Sequence, residues 1–186
     1  MSIAALLIPL VAASSLAFVT DAEGVRVSMR TGTKDIEIVA DGNFDATPER
    51  VLAAMLDYKN APSWQKQLRQ SEVIRRDAHS LDVYQRLKLP IISDRDYTLH
   101  VTWGADDRGL WMRFARSTEG PAPKDGVVRM PVHEGEWRLD RGPDARTTHA
   151  HYEVHMDLGG SLPAGMARKS VAKNIPDFFV GLRSQL

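Results

Sequence analysis

Residues 147–186 read TTHAHYEVHMDLGGSLPAGMARKSVAKNIPDFFVGLRSQL, and the hydrophobic period changes within them. Over 147–157, Ala150, Tyr152, Val154 and Met156 alternate with His149, His151, Glu153 and His155, the pattern of a strand with one buried and one solvated face. Over 162–186, Ala167, Val171, Ile175, Phe178 and Leu182 recur at intervals of four, four, three and four residues, the apolar stripe of an amphipathic helix. A half-buried strand followed at once by a helix of this length predicts a helix laid across a sheet. Pro176 falls inside that helix and is expected to kink it or remove one hydrogen bond.

Upstream the two-residue period persists, in runs at 71–76, 81–89, 97–103, 109–116 and 127–139. These predict consecutive antiparallel strands. Their apolar faces are Leu81, Val83, Leu87 and Leu89, then Tyr97, Leu99, Val101 and Trp103. Leu110, Met112 and Phe114 continue the set, followed by Val128, Met130 and Val132. The earliest strand spans 35–44, with Ile36, Ile38, Ala40, Gly42 and Phe44 on one face. Thr47-Pro48-Glu49 then opens a helix, because Thr caps free N–H groups and Pro suits the first helical position. A second short helix or turn is expected over 60–65, with Trp64 as its buried anchor. The predicted class is α+β: a curved antiparallel sheet wrapped around a long C-terminal helix, with two short helices after the first strand. A strongly curved sheet cannot lie flat along one helix, so a gap between them is expected.

Met1 to Thr20 carries no charged side chain, and residues 3–19 are almost wholly apolar or small. A secretory signal needs about 7–15 apolar residues and small residues before the cut, and Ser15-Leu16-Ala17 supplies the latter. The expectation is export, periplasmic or secreted, with residues 1–17 removed. A retained membrane anchor, for which ~20 apolar residues are needed, is the alternative, and an ordinary N-terminal helix the third reading. No Lys or Arg precedes the apolar core, a departure from the usual signal.

The whole chain has 186 residues, 24 Lys+Arg against 24 Asp+Glu, and no cysteine. The charge balance gives no reason to seek nucleic acid. The missing cysteines exclude disulfides, thiolate nucleophiles and Cys-based metal sites. At 43% hydrophobic and 26% charged, the composition is that of one globular domain.

Several stretches together resemble the START (steroidogenic-acute-regulatory-related lipid transfer) domains of the helix-grip, or SRPBCC, superfamily. Asp45-Ala46-Thr47-Pro48-Glu49-Arg50-Val51 is similar to the family's strand-to-helix entry, and Asp57-Tyr58 followed by Trp64 to its second-helix region. Ser93-Asp94-Arg95-Asp96-Tyr97 resembles the S-x-R-D-aromatic strand opening, and Asp157-Leu158-Gly159-Gly160-Ser161-Leu162-Pro163 the D-x-G-G-x-[IL]-P turn into the last helix. Gly24-Val25-Arg26-Val27 resembles a strand that often precedes the domain. The likeness covers 22–186. It implies an internal apolar tunnel holding one lipid, sterol or other hydrophobic molecule, with no catalytic machinery, no cofactor and the last helix as lid. The expected partners are that small molecule and, transiently, a membrane, with the chain a monomer. An aromatase/cyclase-like enzyme of the same superfamily, acting on a polyketide, is the alternative. Ala61-Pro62-Ser63 stands before Trp64 where relatives often have Tyr-Pro-Glu, so ligand identity does not transfer.

The candidate ligand-binding residues follow the inward faces. They are Gln85 and Leu87; Arg95, Tyr97, Leu99 and Val101; Met112 and Phe114; Met130; Tyr152 and Val154; and Met166 and Val171 on the helix. A buried charge is costly unless paired, so Arg95 is expected to meet a carboxylate, Asp94 or Asp96, as a structural ion pair. The functional alternative is that it meets a ligand's polar head. Val101 occupies an inward position where an anion binder would profit from a second cation, which points to an uncharged ligand such as a sterol, fatty alcohol or neutral lipid. Gln85 and Tyr152 are the remaining inward groups able to hydrogen-bond a hydroxyl, or to be satisfied locally. Met112, Met130, Met156 and Met166 read as core fillers that also suit an irregular cavity. His149, His151, Glu153 and His155, with His133 on an adjoining strand, read as a solvated face, with metal binding as the lesser alternative. No G-x-S-x-G or H-E-x-x-H pattern and no inward pair of carboxylates occurs, so hydrolytic chemistry has no visible support. Gly159, Gly160 and Gly165 suit either a hinge or a tight turn.

Overall fold

A computed structural model describes residues 15–33, 35–89, 92–161 and 164–186, with side chains 164, 166 and 169 outside the description. Among the described residues, the strands are β1 (Leu16–Ala22), β2 (Val25–Arg30), β3 (Ile36–Phe44), β4 (Leu68–Arg76), β5 (Ser80–Leu87), β6 (Asp94–Asp106), β7 (Gly109–Arg116), β8 (Val127–Arg129), β9 (Val132–Arg141) and β10 (Thr148–Asp157). The helices are α1 (Pro48–Met55), α2 (Ala61–Trp64) and α3 (Ala164–Arg183). One sheet runs in the order β1-β2-β3-β10-β9-β7-β6-β5-β4. The strand quoted at the outset, β10, lies between β3 and β9, so the sheet joins the first third of the chain to its end.

The register places the alternating apolar residues on one face. Tyr152 stands opposite Ala40 and Trp137, and Val154 opposite Ile38 and Gly135. Gln85 stands opposite Tyr97, and Val101 opposite Leu81 and Phe114. This face closes on α3 through aromatic rings. Phe179 stacks on Phe44 with centroids 5.3 Å apart, and Trp137 lies 4.2 Å from Tyr152 and 5.4 Å from Phe178. Gly42 permits the approach, since a Cβ there would sit 2.7 Å from Phe179 Cε1. Trp64 of α2 is half-buried and meets Phe178 edge-on at 5.3 Å. The Thr47 hydroxyl caps α1 through the Arg50 amide, and α1 buries Val51, Leu52 and Met55. Helix α3 continues through Pro176, which is buried.

Three differences from the sequence reading have local causes. Leu16–Ala22 forms an edge strand where an apolar leader was expected to continue. Ala22 pairs with Val25, and Glu23 and Gly24 both adopt positive φ (55° and 66°), the turn that closes a two-residue hairpin. Residues 1–14, most of the expected signal or anchor, lie outside the described residues. The run 127–139 is not one antiparallel strand. Pro131 cannot donate to a ladder, and β8 pairs parallel with β6 before β9 begins. The interruption also reverses the face, so His133, Trp137 and Leu139 of β9 point inward.

Candidate functional site

The apolar face opens at the start of α3. A cavity of about 390 Å³ lies there, lined by Ile36, Met156, Leu158 and Ala167, with Asp35 and Arg168 on its rim. Arg168 donates to the carbonyls of Thr33 and Asp35, tying α3 to the β2–β3 loop. The turn between β10 and α3 closes the other side. Gly159 and Gly160 have φ of 65° and 71°, a region that favours glycine, and the Gly159 amide donates to Asp157 Oδ1 at 2.9 Å.

Arg95, 2% exposed, holds this turn. Its Nε donates to Leu158 O at 3.1 Å, Nη2 to Gly159 O at 3.0 Å and Nη1 to Ser93 O at 2.6 Å. The expected carboxylate partner is therefore corrected. Asp94 pairs with Arg86 at 2.8 Å, and Asp96 on the opposite face accepts from Arg129 Nε and Nη2 and from the Tyr84 hydroxyl. Strand alternation sends Arg95 inward and both neighbouring carboxylates outward. Burial alone would raise the Asp96 carboxyl, but the bonds from Arg129 and Tyr84 outweigh it and hold it below the usual range. The S-x-R-D and D-x-G-G stretches thus meet in space: the first supplies the guanidinium, the second the carbonyls.

Deeper in, the polar groups on the inner face are neutral. Tyr97 donates to Gln85 Oε1 at 3.0 Å, and Gln85 Nε2 donates to Ser71 Oγ at 3.0 Å. Burial pushes the Tyr58, Tyr97 and Tyr152 hydroxyls well above their ordinary values, and Tyr58 lies near enough to the other two to add to their shifts. His133 is set edge-on against Tyr97 at 4.4 Å and Phe114 at 5.4 Å, and its Nδ1 is buried without a partner. Burial lowers the imidazole to about 4, so it is neutral at physiological pH.

Of the sequence candidates, Gln85, Tyr97, Leu99, Val101, Met112, Phe114, Met130, Tyr152 and Val154 are buried in or beside the core. Leu87 and Val171 are half-buried against it, and the Met166 side chain lies outside those described. Tyr58, His133 and Trp137 were missed. The parity change at Pro131 was the available signal for two of them.

His149, His151, Glu153 and His155 do point outward as read. His133 does not belong with them. His151 bridges Asp41 and Glu153, and His155 bridges Asp35 and Glu134, all at 2.7–3.1 Å. Among the described residues no cluster of three such side chains could hold a metal ion. A groove of about 480 Å³ also crosses this outer face. Its charges satisfy one another, Arg30 with Glu37 at 2.8 Å and Arg113 with Glu136 at 2.6 Å, so the apolar inner face is the better candidate for a hydrophobic ligand.

A family described as polyketide cyclase / dehydrase and lipid transport matches residues 44–179, a span running from the last residue of β3 through Phe179 of α3. The chain belongs to this family. Within it, the fold is the helix-grip fold of START domains. A STAR-related lipid transfer protein from Xanthomonas axonopodis superposes with a TM-score of 0.80 at 26% identity, over 91% of this chain and 97% of that one. Human StAR-related lipid transfer protein 5 shares the fold at 19% identity and a TM-score of 0.78, over 91% and 85%. The Zhui aromatase/cyclase from a Streptomyces species shares it more distantly, at 14% identity and a TM-score of 0.52, over 79% and 93%. Family membership makes this a ligand-binding domain of START type.

Proposed function

We propose that the protein binds one lipid, sterol or other hydrophobic small molecule between its sheet and α3 and carries it between membranes without catalysis. The observation that carries this reading is the inner face itself. Val101, Leu99, Phe114 and Val154 line it, α3 covers it, and a cavity opens where the Arg95-held turn leads into α3. The structural likeness to the two lipid transfer proteins supports it. The test is native mass spectrometry of protein purified from its own host: a bound hydrophobic molecule is expected, and a folded protein that neither retains nor takes up any lipid refutes the reading.

Membrane contact and export belong to the same proposal, with the chain acting as a monomer. The Thr31 amide donates to Ser15 O at 2.9 Å, and Arg168 holds the same β2–β3 loop at the cavity rim. Ser15, the first described residue, therefore lies at the end of the domain where the cavity opens. Leu16, Phe18 and Val19 follow it in β1 and are exposed. In the exported form the native N-terminus is near Phe18, cleavage taking Leu16 and Ala17 from β1. An intact Met1 in a cytosolic fraction would refute export, and an intact Met1 in the membrane fraction would favour the anchor. The second reading, an aromatase/cyclase-like activity on a polyketide, is favoured by one observation, the neutral Tyr58, Tyr97, Tyr152 and His133 set facing inward. Conversion of a polyketide substrate by the purified chain would establish it.

A further inference from the structure

The inner face is not uniformly apolar, and its polar members share a property. Gln85, Tyr58, Tyr97, Tyr152 and His133 are all uncharged at neutral pH, and Gln85 and Tyr97 satisfy each other. Two described cations stand at this face, and both are engaged with carbonyl oxygens: Arg95 through Nε and Nη2 with Leu158 and Gly159 of the closing turn and through Nη1 with Ser93, and Arg168, on the cavity rim, with Thr33 and Asp35. His133 differs from the rest. Where β7 ends at Arg116, β6 and β9 face each other and Tyr97 meets the imidazole edge-on at 4.4 Å. The ring is half-buried, yet its Nδ1 is sealed and unpaired. A buried polar atom without a partner is destabilising, and such groups in native proteins are usually satisfied.

We infer that His133 is the hydrogen-bonding anchor for an uncharged polar terminus, a hydroxyl or a carbonyl, on an otherwise apolar ligand. The inference rests on the hydrophobic-ligand reading above and narrows it to a class. A neutral imidazole offers one donor and one acceptor, so it takes a hydroxyl in either sense or a carbonyl as acceptor. Entry of a carboxylate, sulfate or phosphate is disfavoured for an electrostatic reason. An anion on this face would meet guanidinium groups already engaged with carbonyl oxygens and would be desolvated among Tyr97, Phe114 and Met156 without a compensating charge. Tyr58 and Tyr152, whose hydroxyls have no hydrogen-bond partner among the described residues, supply further neutral contacts on the same face. Phe114 links the two groups of side chains, 5.4 Å from His133 and 6.4 Å from Tyr152.

The test uses the full chain and two matched pairs of probes: cis-parinaryl alcohol against cis-parinaric acid by fluorescence, and cholesterol against cholesterol sulfate by native mass spectrometry, at pH 7.5. The neutral member of a pair is expected to bind at least tenfold more tightly than its anionic partner, about 1.4 kcal/mol. His133→Leu is expected to lose about tenfold for the neutral probe and little for the anionic one, with His133→Asn recovering part of the loss. Equal affinity for neutral and anionic probes, or unchanged neutral binding in H133L, overturns the inference while leaving the hydrophobic-ligand reading intact. Failure of every probe to bind overturns both. Should H133L not fold, H133N and the wild-type selectivity ratio still decide.

Discussion

Replacing Arg95 by Met isolates what the S-x-R-D stretch does. The substitution keeps an unbranched apolar stem and removes three charge-assisted hydrogen bonds, to Leu158, Gly159 and Ser93 carbonyls at 2.6–3.1 Å. The bond to Leu158 O is buried, whereas those to Ser93 and Gly159 are only part-buried. Leaving the first acceptor without a partner costs about 1–3 kcal/mol, and the other two recover water at a net loss of about 0.5–1.5 kcal/mol each. Relief of the guanidinium's own desolvation offsets part of this, so the expected loss is ~3 kcal/mol. For a domain of this size that is a fall in Tm of roughly 6–12 °C. Urea denaturation with hydrogen exchange is the assay. Exchange at the Gly159 amide, now held by Asp157, is expected to accelerate before the sheet opens, because the turn loses its tie to β6 while the ladder does not. A carboxylate partner would make the loss shrink below about pH 4, as the carboxylate protonates; carbonyl partners do not titrate, so the loss is expected to be the same at pH 7 and pH 4. A destabilisation under 1 kcal/mol, or one that disappears in acid, refutes the clamp.

Asp96→Asn should cost about 2–4 kcal/mol at pH 7, because it leaves the Arg129 guanidinium without its carboxylate. The wild-type carboxyl is held below its ordinary value, so its contribution is present above the unfolded value and lost as pH falls through the folded one. The acid limb of stability below about pH 4 should accordingly be flatter in the variant, which pH-dependent melting would show. His133 works over a different window. Its folded value of about 4 against 6.5 unfolded means the unfolded chain binds the extra proton, so stability falls as pH drops from 6.5 to 4, by ~3 kcal/mol. His133→Phe should flatten that interval, and an unchanged profile would contradict the burial described. Gly42→Ala drives a Cβ to 2.7 Å from Phe179. It should cost about 1–3 kcal/mol by overpacking, and a chemical-shift change at Phe44 and Phe179 is expected in NMR.

Much of this arrangement was legible along the chain. Alternation over 81–89, 97–103 and 147–157 assigned inward faces correctly because each strand there is regular and one face of the sheet is buried. The motif stretches at 93–97 and 157–163 located the turn that Arg95 holds. Alternation failed at Pro131, where a missing N–H breaks the ladder and shifts parity, so His133 was assigned to the wrong face and Trp137 and Leu139 were not picked out as inward. No strand was read at Leu16–Ala22, whose uncharged start masked one that pairs with the edge of β2.

By itself, then, the sequence determined the class of fold, the order of its elements and the apolar face of most strands, since these depend on local period and turn chemistry. Partnership was decided only by tertiary structure. Arg95 stands between two aspartates yet binds carbonyls more than sixty residues away, because alternation turns its neighbours outward while sheet curvature brings the start of α3 over its own side. The same curvature seals the Nδ1 of His133 against Tyr97 and Phe114, and no spacing of residues along the chain encodes which buried polar atom is left without a partner.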